Sequence, residues 1–196
     1  MKRLLDFGIA FLACIILSPI FLLLLILIRL ESPGKSIFQQ ERIGRDGRPF
    51  RLFKFRSMRQ GMVGPQITLG KSDPRITWIG QWLRKTKIDE LPQLWNIVKG
   101  DMSFVGPRPE VAKYVALYTT EQKAVLTVRP GLTDPASIQA FDEGARLESE
   151  SNPEAYYQEV ILSEKIKLQL DYIQHANLLS DLRVVLQTLL RILQRG

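Results

Sequence analysis

One cysteine and one histidine in 196 residues remove whole classes of chemistry. Cys14 has no partner for an internal disulfide, and Cys14 with His175 falls short of the four nitrogen or sulfur ligands of a structural zinc site. A serine or cysteine hydrolase triad would have to use His175, which sits in a helical-looking stretch with no nucleophile signature nearby. The G-x-x-x-x-G-K-[ST] fingerprint is missing, which excludes a P-loop NTPase, and no recognised DNA- or RNA-binding motif is present. Internal repeats and low-complexity tracts are also lacking. Chemistry on this chain must rest on carboxylates, lysines and arginines. Lys and Arg total 27 against 20 Asp and Glu, a formal net charge of +7, so the partner should be negatively charged: an anionic lipid or a phosphorylated substrate before nucleic acid.

Charge is absent altogether from residues 7–28, FGIAFLACIILSPIFLLLLILI. At 1.5 Å rise per residue this run reaches roughly 33 Å, about one bilayer core, and it reads as lipid-embedded. A cleaved secretory signal competes, with Lys2 and Arg3 as its charged start. The run outlasts an ordinary signal core, however, and no small-x-small cleavage site follows it. Ser18-Pro19 falls in the middle. Proline lacks the N–H that bonds four residues back and its ring crowds that carbonyl, so a break or kink is expected there. The Ser18 hydroxyl can satisfy part of what is freed. Two topologies stay open: a kinked span, or a re-entrant hairpin with both ends on one face. Lys2 and Arg3 before the run and Arg29, Lys35, Arg42, Arg45 and Arg48 after it suit two inside flanks, but also a span with its weaker N-terminal flank outside.

Residues 32–196 read as one α/β, helix-rich domain mounted on the membrane element of residues 1–31. Gly44, Asp46-Gly47 and Pro49 signal a hairpin turn. Residues 50–58, FRLFKFRSM, suit a short strand with Lys54 and Arg56 on one face and Arg51, Phe53 and Phe55 on the other. Gly61, Gly64-Pro65 and Gly70 mark a flexible connection over 61–73. Residues 76–85 and 91–98 have helical spacing, with Pro92 in the second helix's first turn and Gly100 at its end. A helix is expected from near Glu110 to about Val125, a turn at 129–131 and an acidic surface excursion over 141–153. The longest helical candidate is 156–194. Its last part mixes Leu, Val and Ile with Arg183, Arg191 and Arg195, the pattern of an amphipathic helix at an anionic lipid surface or of a terminal core helix with a basic outer face.

Asp89 and Glu90 stand together between two predicted helices. Acidic residues are favoured in a first helical turn for electrostatic reasons alone. Here they are surrounded by Arg84, Lys85 and Lys87, and Lys54, Arg56 and Arg108 from other basic segments could converge on them. Carboxylates grouped with cations suit a metal-assisted phosphate site, in which one carboxylate could attack phosphorus to form an acyl-phosphate. Neighbouring residues on a helix point about 100° apart, so the pair should divide its roles rather than act as a glycosidase pair does. Arg108, with a proline on each side, has fewer backbone conformations to lose, and its fork suits phosphate oxygens.

The block KIDELPQLWNIVKGDMSFVGPRPE (87–110), FKFRSM (53–58), RPGLT (129–133) and the Ser18-Pro19 pair together closely resemble the bacterial sugar transferase family of monotopic phosphoglycosyl transferases. The resemblance covers nearly the whole chain and is greatest to the small form that comprises little more than the catalytic domain. It implies transfer of a sugar 1-phosphate from a UDP-sugar to a polyprenol phosphate, undecaprenyl phosphate above all, with UMP released and glycoconjugate assembly begun. Asp89 would be the nucleophile of a phosphosugar-aspartyl intermediate and Glu90 a base or proton carrier. Mg²⁺ would be held partly by Asp89, and Lys54, Arg84 and Arg108 would bind phosphate. The resemblance also implies a re-entrant helix broken at Ser18-Pro19, interfacial helices, and an active site on the cytoplasmic face of the bacterial inner membrane. Membrane lipid is then a partner, and a homo-oligomer stays open. After RPGLT the chain departs from many relatives, reading Asp134-Pro135-Ala136-Ser137-Ile138, a plausible place for sugar discrimination to which no residue role is carried over. Two rival readings stand beside this one: a membrane-bound phosphohydrolase of nucleotide sugars or lipid phosphates, and a non-catalytic basic membrane module.

Overall fold

The computed structural model describes residues 1–61, 73–139 and 143–194. The glycine-marked connection expected over 61–73 lies almost wholly outside them, as do residues 140–142 of the expected acidic excursion. α1 (Lys2–Glu31) is one uninterrupted helix with Pro19 inside it, so Ser18-Pro19 does not break it. The reason is local. Proline at 19 leaves the carbonyl of Ile15, four residues back, without its amide, and the Ser18 hydroxyl donates to that carbonyl at 2.7 Å.

Asp6, Ala10, Leu24 and Ile28 are buried along α1, with Ala13, Cys14, Leu17 and Phe21 packed between them. These steps of three, four and seven residues define one face, which lies against the domain. Ile9, Leu12, Ile16, Leu23 and Leu27 on the other faces are exposed. Both ends are tied to the same domain. At the N-terminal end Lys2 reaches Asp181 and the Val105 carbonyl, Arg3 the Ile97 and Val98 carbonyls, and Asp6 accepts from Ser103. At the other end buried Arg56 donates to the carbonyls of Ile28, Ser32 and Pro33. Arg56, grouped above with the phosphate cations, thus closes the end of the apolar helix instead.

β1 (Ile37–Ile43) and β2 (Pro49–Phe55) form the expected antiparallel hairpin. Its turn places Asp46 and Gly47 at φ of 58° and 72°, a left-handed conformation that Asp and Gly tolerate. α2 (Trp78–Lys85) and α3 (Gln93–Lys99) follow, the latter ending at Gly100 with φ of 94°. Buried Asn96 fastens α3 to β2, donating to Arg51 O at 2.7 Å and accepting from Phe53 N at 3.1 Å. β3 (Ser103–Val105) pairs in parallel with β4 (Gly131–Thr133), drawing VGPRP against RPGLT. A Cβ on Gly106 would sit 2.4 Å from Arg129 O, so only glycine admits this approach.

The helix expected from Glu110 to Val125 is not formed as one piece. α4 (Ala112–Val115) is short, and Thr119 and Gln122 exchange side-chain to backbone bonds that start a separate 3-10 turn, Gln122–Thr127. α5 (Pro135–Gln139) comes next, and α6 (Glu143–Glu148) turns part of the acidic stretch into a helix because Leu147 enters the core. α7 (Pro153–Tyr156) runs through a π turn into α8 (Leu162–His175), and α9 (Leu178–Leu193) is separate. The long candidate over 156–194 divides at Asn177, whose side chain caps the amides of Leu179 and Ser180 while Ser180 Oγ accepts from Asn177 N. The described residues are 62% helical, and their strands form two separate two-stranded sheets. The helix-rich half of the α/β expectation holds; no larger sheet accompanies it among the described residues. One core lies under α1 around Leu52, Leu94 and Ile97, another around Tyr114, Leu147 and Ile161.

Candidate active site

A cavity of about 900 Å³ has residues of both cores in its wall. Lys54, Arg84, Lys87, Asp89, Glu90 and Arg108 all line it, so the cations expected at phosphate and the Asp-Glu pair share one space. Ser18 and Pro19 are not among its lining residues, although Ala13 and Leu17 of α1 are.

The pair does not occupy the first turn of α3. α2 stops at Lys85, Lys87 takes a left-handed conformation with φ of 59°, and a 3-10 turn, Ile88–Glu90, carries both carboxylates ahead of Pro92 and α3. A non-glycine residue in this conformation costs about 1–2 kcal/mol. The surrounding packing holds it, with Ile88 and Leu91 set against the α1 core. In a 3-10 turn adjacent residues diverge by about 120°, and the two side chains accordingly meet different neighbours.

Glu90 is the paired one. Its Oε1 accepts from Lys54 Nζ at 2.8 Å, and Arg108 engages it in a two-pronged pair, with Nη1 3.2 Å from Oε2 and Nη2 on Oε1. Burial works to raise the Glu90 carboxyl, but Arg108 and Lys54 outweigh it and hold the group well below the usual range. Asp89 is buried with Oδ1 lacking a hydrogen-bond partner among the described residues. Its carboxyl is pushed up, above all by burial and then by Glu90, with Lys54, Lys87 and Arg84 opposing. Burial lowers Lys87 and Arg84, countered by these same carboxylates. A carboxylate poorly compensated in its resting state, and surrounded by cations that do not neutralise it locally, is a nucleophile with little to give up on reacting.

Arg108 is aimed by more than its prolines. Asp134, with no exposed surface, accepts from the Arg108 amide at 3.3 Å, from Ser137 N at 2.7 Å and from Gln169 at 2.6 Å. The start of the divergent stretch after RPGLT is therefore a cap on α5 and an anchor for the Arg108 backbone, while Ser137 and Ile138 reach the cavity wall.

The cavity lining also holds a second polar cluster with no motif to mark it in the sequence. Glu110 Oε1 accepts from Tyr157 at 2.6 Å and Lys165 at 3.1 Å, its Oε2 pairs with Arg42 at 3.3 Å, and Lys165 also reaches Glu143 at 3.3 Å. Burial opposes ionisation of Glu110, yet Lys165 and Arg42 hold its carboxyl below the ordinary value. Glu110 closes the GPRPE motif, where a helix start is expected, and nothing in the sequence around Lys165 singles it out on its helix.

A family profile described as "Bacterial sugar transferase" matches residues 1–195. The chain is 37% identical over 191 residues to the UDP-glucose:undecaprenyl-phosphate glucose-1-phosphate transferase of Caulobacter vibrioides, covering 95% of this chain and 67% of that one. It is 46% identical over 125 residues to a putative undecaprenyl-phosphate N-acetylgalactosaminyl 1-phosphate transferase of Bacillus subtilis, 61% of this chain and 68% of the relative. With the UDP-glucose:undecaprenyl-phosphate glucose-1-phosphate transferase of Escherichia coli the identity is 33% over 197 residues, 97% of this chain and 40% of the relative. The chain thus spans about two thirds of the first two relatives and well under half of the third.

Proposed function

The chain belongs to the bacterial sugar transferase family, and from that premise we propose that it moves a sugar 1-phosphate from a UDP-sugar to undecaprenyl phosphate in two displacements. In the first, an Asp89 oxygen bonds to the β-phosphorus as the bond from that phosphorus to the bridging oxygen breaks, and UMP leaves with the electron pair. In the second, an oxygen of the polyprenyl phosphate bonds to the same phosphorus and the Asp89 carboxylate is released. The observation that carries this reading is Asp89 itself, buried with one oxygen unpartnered in a cavity shared with Lys54, Arg84, Lys87 and Arg108.

Glu90 acts as a positioning residue in this scheme. An ionised carboxylate held down by two cations is a weak base, and a polyprenyl phosphate near neutral pH needs no base to become a nucleophile. What Glu90 supplies is the placement of Lys54 and Arg108, whose charges then meet the diphosphate. Mg²⁺ fits the donor set. Among the described residues no cluster of three acidic, Cys or His side chains could cage an ion, whereas Mg²⁺ is ordinarily held by one or two carboxylates and the substrate's own phosphate oxygens. Asp89 would hold it through the unpartnered oxygen, and when bound it would screen diphosphate charge.

The same reading places the protein at the inner membrane with its active site on the cytoplasmic face, where UDP-sugars are made. α1 is long and apolar enough to cross a bilayer, but a span would drag into hydrocarbon the domain that grips it at Lys2, Arg3 and Asp6 as well as at Ile28 and Ser32. Attachment of both ends to one domain supports both flanks of α1 lying on one face of the membrane, with its outer side toward lipid, and needs no break at Ser18-Pro19. Cysteines placed singly beside Lys2 and Lys35 should be labelled from the same side, and should remain so in Ser18→Ala/Pro19→Leu; labelling from opposite sides would reject this topology.

The activity test is UMP release from a panel of UDP-sugars with Mg²⁺, with and without undecaprenyl phosphate, for the parent and Asp89→Asn. Lipid-dependent release lost in the variant is expected. Lipid-independent turnover would point to the phosphohydrolase, and lipid-dependent release that survives Asp89→Asn would remove Asp89 from the chemistry.

A further inference from the structure

The residues lining the cavity around Asp89 fall into two groups of unlike chemistry. Arg42, Glu143 and Lys165 give it polar wall; Ala13 and Leu17 of α1, Leu94 of α3, and Val185, Leu189 and Ile192 of α9 give it apolar wall. The α9 residues fall at i, i+4 and i+7, one stripe of the helix. Beside that stripe runs a second apolar one, Leu182, Leu186, Leu190 and Leu193, all exposed, while Val184 packs inward against Val105 and Tyr172. A helix that only covered a core would need the Val184 face alone. α9 has two more, so the cavity wall runs without a polar seam onto a surface suited to lipid. α1 repeats the arrangement, with Leu17 on the cavity and Ile16 and Ile20 exposed beside it.

Two ties fix this gap. Lys2 Nζ of α1 pairs with Asp181 of α9 at 2.6 Å, where Tyr172 also bonds, and Thr188 of α9 meets Thr133 of β4 hydroxyl to hydroxyl at 2.7 Å. The two helices are therefore held as fixed walls beside the cation cluster.

We propose that the arm between α1 and α9 holds the phosphate-proximal isoprene units of the acceptor, with its phosphate among the cations at Asp89. The inference rests on the transferase reading above and deepens it. The lining asks for an amphiphile with an anionic head and a long apolar chain. A UDP-sugar offers no apolar segment for this arm. Leu189 and Val185 then set acceptor affinity without taking part in donor chemistry.

The test is binding of undecaprenyl phosphate alone to the full-length protein in detergent micelles, followed by native mass spectrometry, for the parent, Leu189→Trp and Leu190→Trp. Leu189→Trp fills the arm and should weaken binding at least tenfold; Leu190→Trp adds the same bulk to the outward stripe and should bind as the parent does. Unchanged thermal melting of Leu189→Trp separates blockage from misfolding, and Val185→Trp gives a second filling of the same arm. Equal loss in Leu189→Trp and Leu190→Trp, or no loss in either arm-filling variant, would overturn the assignment. The donor reading is tested apart from it, by exchange of labelled UMP into UDP-sugar without acceptor: absence of exchange in the parent would reject the covalent mechanism whatever the lipid-binding result.

Discussion

Two carboxylate clusters line the same cavity, and they differ in how completely they are paired. Glu110 has a partner on each oxygen, from Tyr157 and Lys165 on one and Arg42 on the other. Asp89 is as deeply buried and keeps one oxygen without a partner among the described residues. The direction of the pKa shift follows the pairing: Glu110 is held below its ordinary value and Asp89 above. A buried charge costs several kcal/mol unless compensated, so a network completed inside the protein stabilises the fold, whereas an incomplete one persists where a ligand is to complete it. Glu90 lies between the two cases, completed by Lys54 and Arg108 but exposing those cations to the cavity.

The sharpest way to break this comparison is to neutralise each cluster. Asp89→Asn should lower turnover by about 10⁴-fold or more while leaving the melting temperature equal to or above that of the parent, since a costly buried charge is gone. A stability loss as large as the activity loss would place Asp89 with the structural carboxylates. Lys165→Met should do the opposite, costing about 1–3 kcal/mol of folding stability by taking from Glu110 one of its two cations, read as a lowered thermal or denaturant midpoint. Turnover per folded molecule should fall far less than in Asp89→Asn. Glu90→Gln comes next, with about a 10²-fold loss from letting Lys54 and Arg108 drift; a pH–rate profile that keeps its shape in this variant would confirm positioning over proton transfer.

The smallest effect concerns acid. Because Asp89 is raised above 3.8, kcat/KM of the free enzyme should begin to fall, as acidity increases, at a pH above the ordinary aspartate value. Glu90 and Glu110 are held below 4.5. Their stabilisation is complete above the unfolded-state value and is lost only as pH drops through the lower folded values. Activity should therefore fail before folding does, and coincident loss of both would contradict the contrast between the clusters.

Local rules carried the reading a long way where neighbours in sequence decide the structure. The hairpin turn at Asp46-Gly47, the end of α3 at Gly100 and the apolar run of α1 were all legible because left-handed turns, helix stops and hydrophobic length are short-range properties. So was the rescue of Pro19 by Ser18, since donor and acceptor lie within one turn. The division of residues 156–194 at Asn177 was readable in principle from its capping box with Ser180, but continuous apolar content masked it. Residue type alone did not separate Arg56 from Arg108, although the flanking prolines and the family motif favoured Arg108 for phosphate; the placement of β2 against the end of α1 sent Arg56 to cap a helix and left Arg108 at Glu90.

The sequence by itself determined the chemistry available: carboxylates among cations, no thiol or imidazole pair, and a charge-free run long enough for lipid. Those limits follow from residue types, which no fold can change. The tertiary structure decided which of the two adjacent carboxylates is paired and which is left open, and it turned two apolar helices into the walls of one arm of the cavity. Both outcomes depend on contacts between segments 18 to 179 residues apart, with Glu90 meeting Lys54 and Arg108, and Lys2 meeting Asp181. Their strength depends on burial and distance, and those exist only once the chain has folded.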